Sequence, residues 1–296
     1  MKIIISVIIP VYKNTNFLKE ALNSLIAQTY KNFEVIIVND GSPDFENIKK
    51  IINFFVKKKL NIKLFNFKKN RGVSAALNKA IQQSKGKYIS WLSHDDLYHR
   101  DKLKKQMNVL KNNSIKICFS NFFLINSKKK VIKKININNS VFEPRHFILF
   151  RDKYNFCSAL INKIIFKKVG LFDLKKKHTQ DYDLLFKILN RYKPYLMNDY
   201  LLYSRVHNKQ NSVIGKKDAE KEKEKLYLSR FKQIESIYYN SNFIKKIYII
   251  FFLKIKNLKK INIKLLKLIK KENFLITIIL KTIFKISEIY LFFKKI

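Results

Sequence analysis

Four apolar runs, each closed by a polar turn, constrain this chain more than any other feature. Residues 3–9, "IIISVII", form a nearly continuous β-branched run that stops at Pro10, and "FEVIIV" at 33–38 stops at "NDGSPD". Further strands are expected near 62–66 and at 87–92, the last running into "SHDD". The runs at 3–9 and 33–38, short and rich in Ile and Val, fit strands buried on both faces better than helices. Between them the spacing becomes helical. In "TNFLKEALNSLIAQTY", Thr15 or Asn16 is the expected N-cap, and Phe17, Leu18, Ala21, Leu22, Leu25 and Ile26 share one face. Helices are also expected near 45–57 and at 73–84. Strand alternating with helix calls for a mostly parallel α/β sheet covered on both sides, because each right-handed crossover packs back onto the sheet. Ligands of such sheets sit beyond the carboxyl ends of the strands. "PVYKN", "NDGS" and "SHDD" all lie at those ends and are therefore expected to converge.

The 296 residues carry a formal charge of +41, which on its own suggests an anionic partner. Lys, Ile, Asn and Phe are abundant together while Gly and Pro are scarce, a bias that low-GC coding produces across a proteome, so only the distribution of charge is informative. No binding motif or basic aromatic stripe points to nucleic acid, and neither the dinucleotide fingerprint nor the P-loop pattern occurs. Cys118 and Cys157 are far apart with no zinc spacing and read as buried apolar residues in a reducing compartment. The first apolar run is short, ends at Pro10 and lacks a small-residue cleavage site, so it reads as a strand rather than a signal peptide.

The adjacent carboxylates of "WLSHDD", Asp95 and Asp96, stand where a buried strand meets the surface. One reading is that Asp96 caps a helix beginning near 97–100. A cap needs one Asp, however, and two like charges side by side repel unless a positive group lies between them. A divalent cation on a diphosphate supplies that charge, and Mg2+ or Mn2+ prefers such hard oxygen ligands.

Several segments in a fixed order carry a family resemblance: "ISVIIPVYKN", "LNSLIAQTY", "FEVIIVNDGS", "NRGVSAALNKAI", "GKYISWLSHDD", then "GLFD" and "TQDYDLLFKI". Together they resemble the successive motifs of family 2 glycosyltransferases, the inverting enzymes with a Rossmann-like GT-A fold, over about residues 3–212. The resemblance implies that Pro10, Val11 and Tyr12 lie against the base of a nucleotide-sugar donor, and that Asn39 or Asp40 reads that base. Asn70, Arg71 and Asn78 match the loop and helix flanking the nucleotide. "LSHDD" matches the metal-binding region, with Ser93 in place of its first acid. Of the two acids left, one is expected at the ribose and the other at the metal, so Asp95 and Asp96 are both candidate ligands. In "HTQDYDLLFKI" the resemblance makes Asp181 the general base, with Gln180 where a Glu is usual. Asp183, two residues on at the start of the helix "YDLLFKILNRY", is expected to cap it or to complement its dipole. Arg205 and His207, in "SRVHNKQNS", match a loop that reaches the diphosphate or metal, and Cys157 and Ser158 match the acceptor side.

Residues 241–296 hold fourteen lysines against two acids, Glu272 and Glu288, a surplus of +12 in 56 residues. Apolar stretches between them fall short of the roughly 18 residues that span a bilayer. Lys281, Lys285 and Glu288 recur at helical spacing beside a broad apolar face, the pattern of helices on an anionic membrane surface. The alternative is packing against protein. The expectation is thus a glycosyltransferase domain over 1–215 and a basic, amphipathic helical extension over 216–296. It would be cytoplasmic, peripheral on the inner face of the membrane, with a UDP-sugar as donor and a glycan or lipid-linked acceptor, serving surface polysaccharide or lipopolysaccharide synthesis. The competing readings are a non-catalytic relative of the fold and a basic nucleic-acid- or membrane-binding protein.

Overall fold

A computed structural model describes residues 4–13, 15–138, 154–208, 216–255, 259–272 and 274–293. The chain forms two compact units. One comprises the described residues of Met1–Asn139 and Lys153–Ile214, the other those from Gly215 onwards.

The first unit is built on a nine-stranded sheet. Its strands are β1 (Ile5–Val11), β2 (Phe33–Asn39), β3 (Ile62–Asn66), β4 (Tyr88–Trp91), β5 (Leu97–Tyr98), β6 (Ile117–Ile125), β7 (Val131–Ile135), β8 (Ala159–Asn162) and β9 (Tyr195–Arg205). Their order is β3-β2-β1-β4-β8-β6-β9-β5, with β7 on β6. β1 and β2 are buried at every residue, as continuous Ile/Val runs require when helices cover both faces. β1 to β4 pair in parallel, as expected. Beyond β4 the sheet becomes mixed, because β8 runs antiparallel to both β4 and β6.

Helices α1 (Leu18–Ile26), α2 (Phe45–Lys57), α3 (Val73–Gln83), α4 (Lys102–Leu110), α5 (Ile164–Val169) and α6 (Gln180–Leu189) complete this unit. α1 buries Leu18, Ala21, Leu22 and Leu25, the spacing of one helical face. The helix considered for 97–100 does not form. Leu97 and Tyr98 pair instead with Tyr203 and Leu202 of β9, and α4 starts at Lys102, just after Asp101. Asp96 is therefore not a helix cap.

The second unit is helical: α7 (Lys216–Ser229), α8 (Phe231–Tyr239), α9 (Phe243–Ile255), α10 (Lys259–Ile269) and α11 (Phe274–Phe293). These helices have a core of their own, in which Phe231, Ile234, Ile249, Ile250, Leu253, Ile261, Leu265, Leu268, Ile269 and Leu280 are buried. Part of the apolar surface expected to face a membrane is thus taken up by helix-on-helix packing. Ile244, Ile263, Ile278, Ile279 and Ile286 remain exposed. No helix of the described residues is long and apolar enough to cross a membrane. The side chain of Glu288 lies outside the described ones, as do Gln210 and Ser212 of the "NKQNS" segment.

Candidate active site at the carboxyl ends of the strands

The polar turns meet as their places on the sheet require. Pro10 and Val11 end β1, paired with Val38 and Asn39 of β2. The Asp40 N–H donates to the Val11 carbonyl (2.8 Å) and the Lys13 N–H to Ser42 Oγ (3.0 Å), stitching the two turns together. Tyr12 follows, half-buried, with the Lys13 ammonium 5.1 Å from its ring centroid. Gly41 has φ +70°, and a Cβ there would lie 2.4 Å from the Lys69 carbonyl carbon. Only glycine allows this close approach of the 69–72 loop.

Asn39 and Asp40, which the sequence left interchangeable, have distinct surroundings. Asn39 is fully buried; its Nδ2 donates to Asn66 Oδ1 (2.7 Å) and its Oδ1 accepts from the Ser42 N–H (3.3 Å). Asp40 accepts from the Arg71 N–H (2.7 Å) and the Gly72 N–H (2.9 Å), fixing the start of α3. Burial raises the Asp40 pKa in spite of those two amides and the Arg71 charge. Asn70 and Arg71 are exposed, and the Arg71 guanidinium lies over the Phe67 ring at 4.9 Å.

Asn78, expected at the donor, has another partner. Its Nδ2 donates to the Phe172 carbonyl (2.8 Å), and its Oδ1 accepts from the Phe172 N–H (2.9 Å). With Ser74 Oγ on the Lys176 carbonyl (3.3 Å), this docks the segment leading into α6 onto α3. Trp91, the last residue of β4, packs its ring at 5.6 Å from Phe156 and 5.9 Å from Phe172. Asp181 enters here in the first turn of α6, half-buried, its Oδ1 accepting from the Tyr182 N–H (2.9 Å). Gln180 beside it is buried, and its Oε1 has no hydrogen-bond partner among the described residues. Asp183, also in that first turn, pairs along the helix with Lys187 (2.7 Å).

Asp95 and Asp96 are both buried, yet they face different partners. Asp96 Oδ1 accepts from the Arg205 N–H (2.8 Å), and its carboxylate also bonds Ser204. Burial, and next the charge of Asp95, push the Asp96 carboxyl well above the usual range. Asp95 Oδ2 lies 3.0 Å from His207 Nε2. Arg205, matched in the sequence to a diphosphate contact, points inward. It is 1% exposed, with Nη2 on Glu20 Oε2 (2.7 Å), Nε on the Asp95 carbonyl (2.8 Å) and Nη1 on the Ser127 carbonyl (2.9 Å). Its guanidinium also stacks 4.1 Å from the Phe17 ring centroid, and Phe17 in turn packs on His207 at 5.3 Å. Arg205 braces the carboxylate turn. Glu20 and Phe17, its partners in and before α1, gave no signal in the sequence beyond their place on an amphipathic helix.

Among the described residues no group of three or more His, Cys, Asp and Glu is arranged to hold a metal. The Asp95–His207 pair still fits a partial site. Adjacent ligands of an octahedral ion with bonds of about 2.1 Å lie about 3.0 Å apart, the separation seen between Asp95 Oδ2 and His207 Nε2. Mg2+ commonly takes one or two carboxylates and fills its remaining positions with substrate phosphate oxygens and water.

The model of the family "Glycosyl transferase family 2" matches residues 6–169. An uncharacterized glycosyltransferase of Rickettsia typhi is 39% identical over 220 residues, covering 71% of this chain and 66% of the relative. One of Methanocaldococcus jannaschii is 30% identical over 229 residues, covering 76% of this chain and 77% of the relative. The chain spans only 31% of a similar Rickettsia bellii protein. Among solved structures, S. aureus TarS in complex with UDP-GlcNAc superposes with a TM-score of 0.61 at 18% identity, covering 76% of this chain and 65% of that one. The mannosyltransferase PcManGT of Pyrobaculum calidifontis, in complex with GDP-Man and Mn2+, gives 0.55 at 19% identity, covering 73% and 61%. At such identities the likeness is one of fold, and that fold is the GT-A architecture that the family resemblance implied. With more than half of its residues under the family's model and relatives covered over most of their length, the chain belongs to glycosyl transferase family 2.

Proposed function

We propose that the protein is a metal-dependent inverting glycosyltransferase that moves a sugar from a nucleotide sugar, a UDP-sugar in the first instance, to a glycan or lipid-linked acceptor of the cell surface. The observation that carries this reading is the Asp95–His207 pair, which joins buried Asp95, past the end of β4, to half-buried His207, past the end of β9. Asp95 and His207 would hold Mg2+ or Mn2+, while Asp96 is occupied with Arg205 and Ser204 and steadies the turn. The ion supplies Lewis-acid charge to the leaving diphosphate. Pro10, Val11 and Tyr12 form one wall for the base and Asp40 the floor of its turn, with Arg71 exposed at the rim for diphosphate oxygens. Asp181 takes the proton of the acceptor hydroxyl as that oxygen attacks the anomeric carbon. The buried, unpartnered Gln180 Oε1 is an acceptor suited to a substrate hydroxyl.

The test is release of UDP from UDP-GlcNAc and of GDP from GDP-Man with Mn2+ present and after EDTA. Nucleotide release that stops with chelator is expected; release indifferent to EDTA would overturn the metal assignment. Calorimetry with Mn2+ and UDP adds a residue-level check. Asp95→Ala and His207→Ala should each weaken metal-dependent UDP binding at least about tenfold, roughly the loss of one charge-assisted contact.

The lysine-rich second unit, with isoleucines exposed on α9, α10 and α11, is proposed to rest on an anionic membrane surface and bring the site to a lipid-linked acceptor. Sedimentation with phosphatidylglycerol vesicles at 0.15 M salt, about physiological, should carry the full chain into the pellet. A chain left in the supernatant would refute membrane docking without touching the transfer reading.

A further inference from the structure

Lys102, the first residue of α4, is 0% exposed. Its ammonium donates to Gln106 Oε1 (2.9 Å), Ser90 Oγ (3.0 Å) and the Ala159 carbonyl (3.4 Å), and lies 4.1 Å from the Tyr98 ring centroid. No carboxylate among the described residues pairs with it. A buried cation without a counter-ion is costly, and the N-terminal end of a helix dipole opposes a cation. Helix stability therefore does not account for a lysine here.

What the ammonium joins is informative. Ser90 is in β4, whose chain continues into Asp95 and Asp96. Gln106 passes the connection on, its Nε2 donating to the Ser158 carbonyl (2.8 Å). Ser158 and Ala159 belong to the wall at 155–159, which reaches the carboxylate turn by two routes. Cys157 is hydrogen-bonded to the Ser93 backbone. Asn155 Nδ2 donates to Ser204 Oγ (3.2 Å), and Ser204 bonds Asp96.

We propose that Lys102 is a positioning residue of the transfer reaction: its three hydrogen bonds hold the 155–159 wall against the strand that delivers Asp95 and Asp96. The link to transfer rests on the function proposed above; the holding of the wall does not. Loss of one ammonium proton removes a donor from a three-acceptor site, so the wall should loosen as Lys102 deprotonates. Burial lowers the Lys102 pKa to about 7. The groups that face it are Tyr98 from β5, Cys118 from β6 and Cys157 from the wall, with Asp96 beyond Tyr98 and Cys157. Burial pushes Cys118 up to about 12 and holds Cys157 and Tyr98 well above their usual ranges, so none of these three titrates near neutrality.

Amide hydrogen exchange of 155–162 in the full chain, corrected for intrinsic rates, tests the wall between pH 6 and 9, about one to two units around that pKa. Protection should fall as pH rises through about 7. Gln106→Glu places a carboxylate against the ammonium and should move the fall to higher pH, whereas Lys102→Met should show low protection throughout. A flat wild-type profile that Gln106→Glu leaves in place would overturn the proposal, even if Lys102→Met does not fold. In sugar transfer, Lys102→Met should lower kcat at least about tenfold, as misplacement of a reacting wall does, with the nucleotide-sugar KM unchanged. Unchanged kcat with a loosened wall would reject the role in catalysis. A wild-type chain that transfers no sugar would instead reject the function, and the exchange profile would still decide the clamp.

Discussion

Replacing Asp181 by Asn is expected to lower sugar transfer by about 10²–10⁴-fold, the usual contribution of a positioned general base, with nucleotide-sugar binding preserved. The side chain stands in the first turn of α6, half-buried, on a segment that Asn78 and Ser74 dock onto α3. The amide is nearly isosteric and still accepts the Tyr182 N–H, so local geometry survives while the proton acceptor is lost. Asp183→Asn is the internal control. Asp183 is tied to Lys187 along the helix, an i,i+4 pair worth a few tenths of a kcal/mol, so transfer should barely change. Steady-state kinetics together with a nucleotide-sugar titration separate the two. Transfer retained in Asp181→Asn would assign the base elsewhere.

Arg205→Ala should be the most destabilising single change among the site residues, by about 1–3 kcal/mol, the cost of leaving a buried carbonyl without its donor. It strips hydrogen bonds from the buried Asp95 carbonyl and from the carbonyl of exposed Ser127, and leaves Glu20 with Lys129 at 3.9 Å as its remaining ion-pair partner among the described residues. It also empties the volume stacked on Phe17. Most of the loss comes from the buried Asp95 carbonyl, since Glu20 is one-third exposed and its attraction is partly screened. Arg205→Lys should lose much of the same stability, because a single ammonium cannot serve three acceptors spread over the edges of a planar guanidinium. Denaturant midpoints read the loss. A midpoint unchanged in Arg205→Ala together with weakened UDP binding would return Arg205 to the diphosphate contact suggested by its place in the sequence.

Arg205 also illustrates where sequence reading stops. The strands, the helices between them and the meeting of "PVYKN", "NDGS" and "SHDD" at one end of the sheet were legible, because burial on both faces forces continuous apolar runs and parallel crossovers force the turns together. The mixed half of the sheet was less so. β8 and β9 are short or bulged and pair with strands distant in the chain, which local periodicity does not encode. Residue roles were least legible. Asn78 matches a helix flanking a nucleotide, yet its amide is consumed by the Phe172 backbone 94 residues away.

By itself, then, the sequence determined the alternating α/β architecture and the family, and it marked Asp40, Asp95, Asp96 and Asp181 as candidates for the chemistry. Hydrophobic periodicity and turn composition are local properties, written residue by residue. The tertiary structure alone decided that Asp95 faces His207 across 112 positions of chain, that Arg205 reaches Glu20 across 185, and that Lys102 lies buried against Ser90, Gln106 and Ala159. Partnerships over such separations leave no spacing to read. They form because a folded core brings distant side chains to hydrogen-bonding distance and leaves buried polar groups no water to turn to.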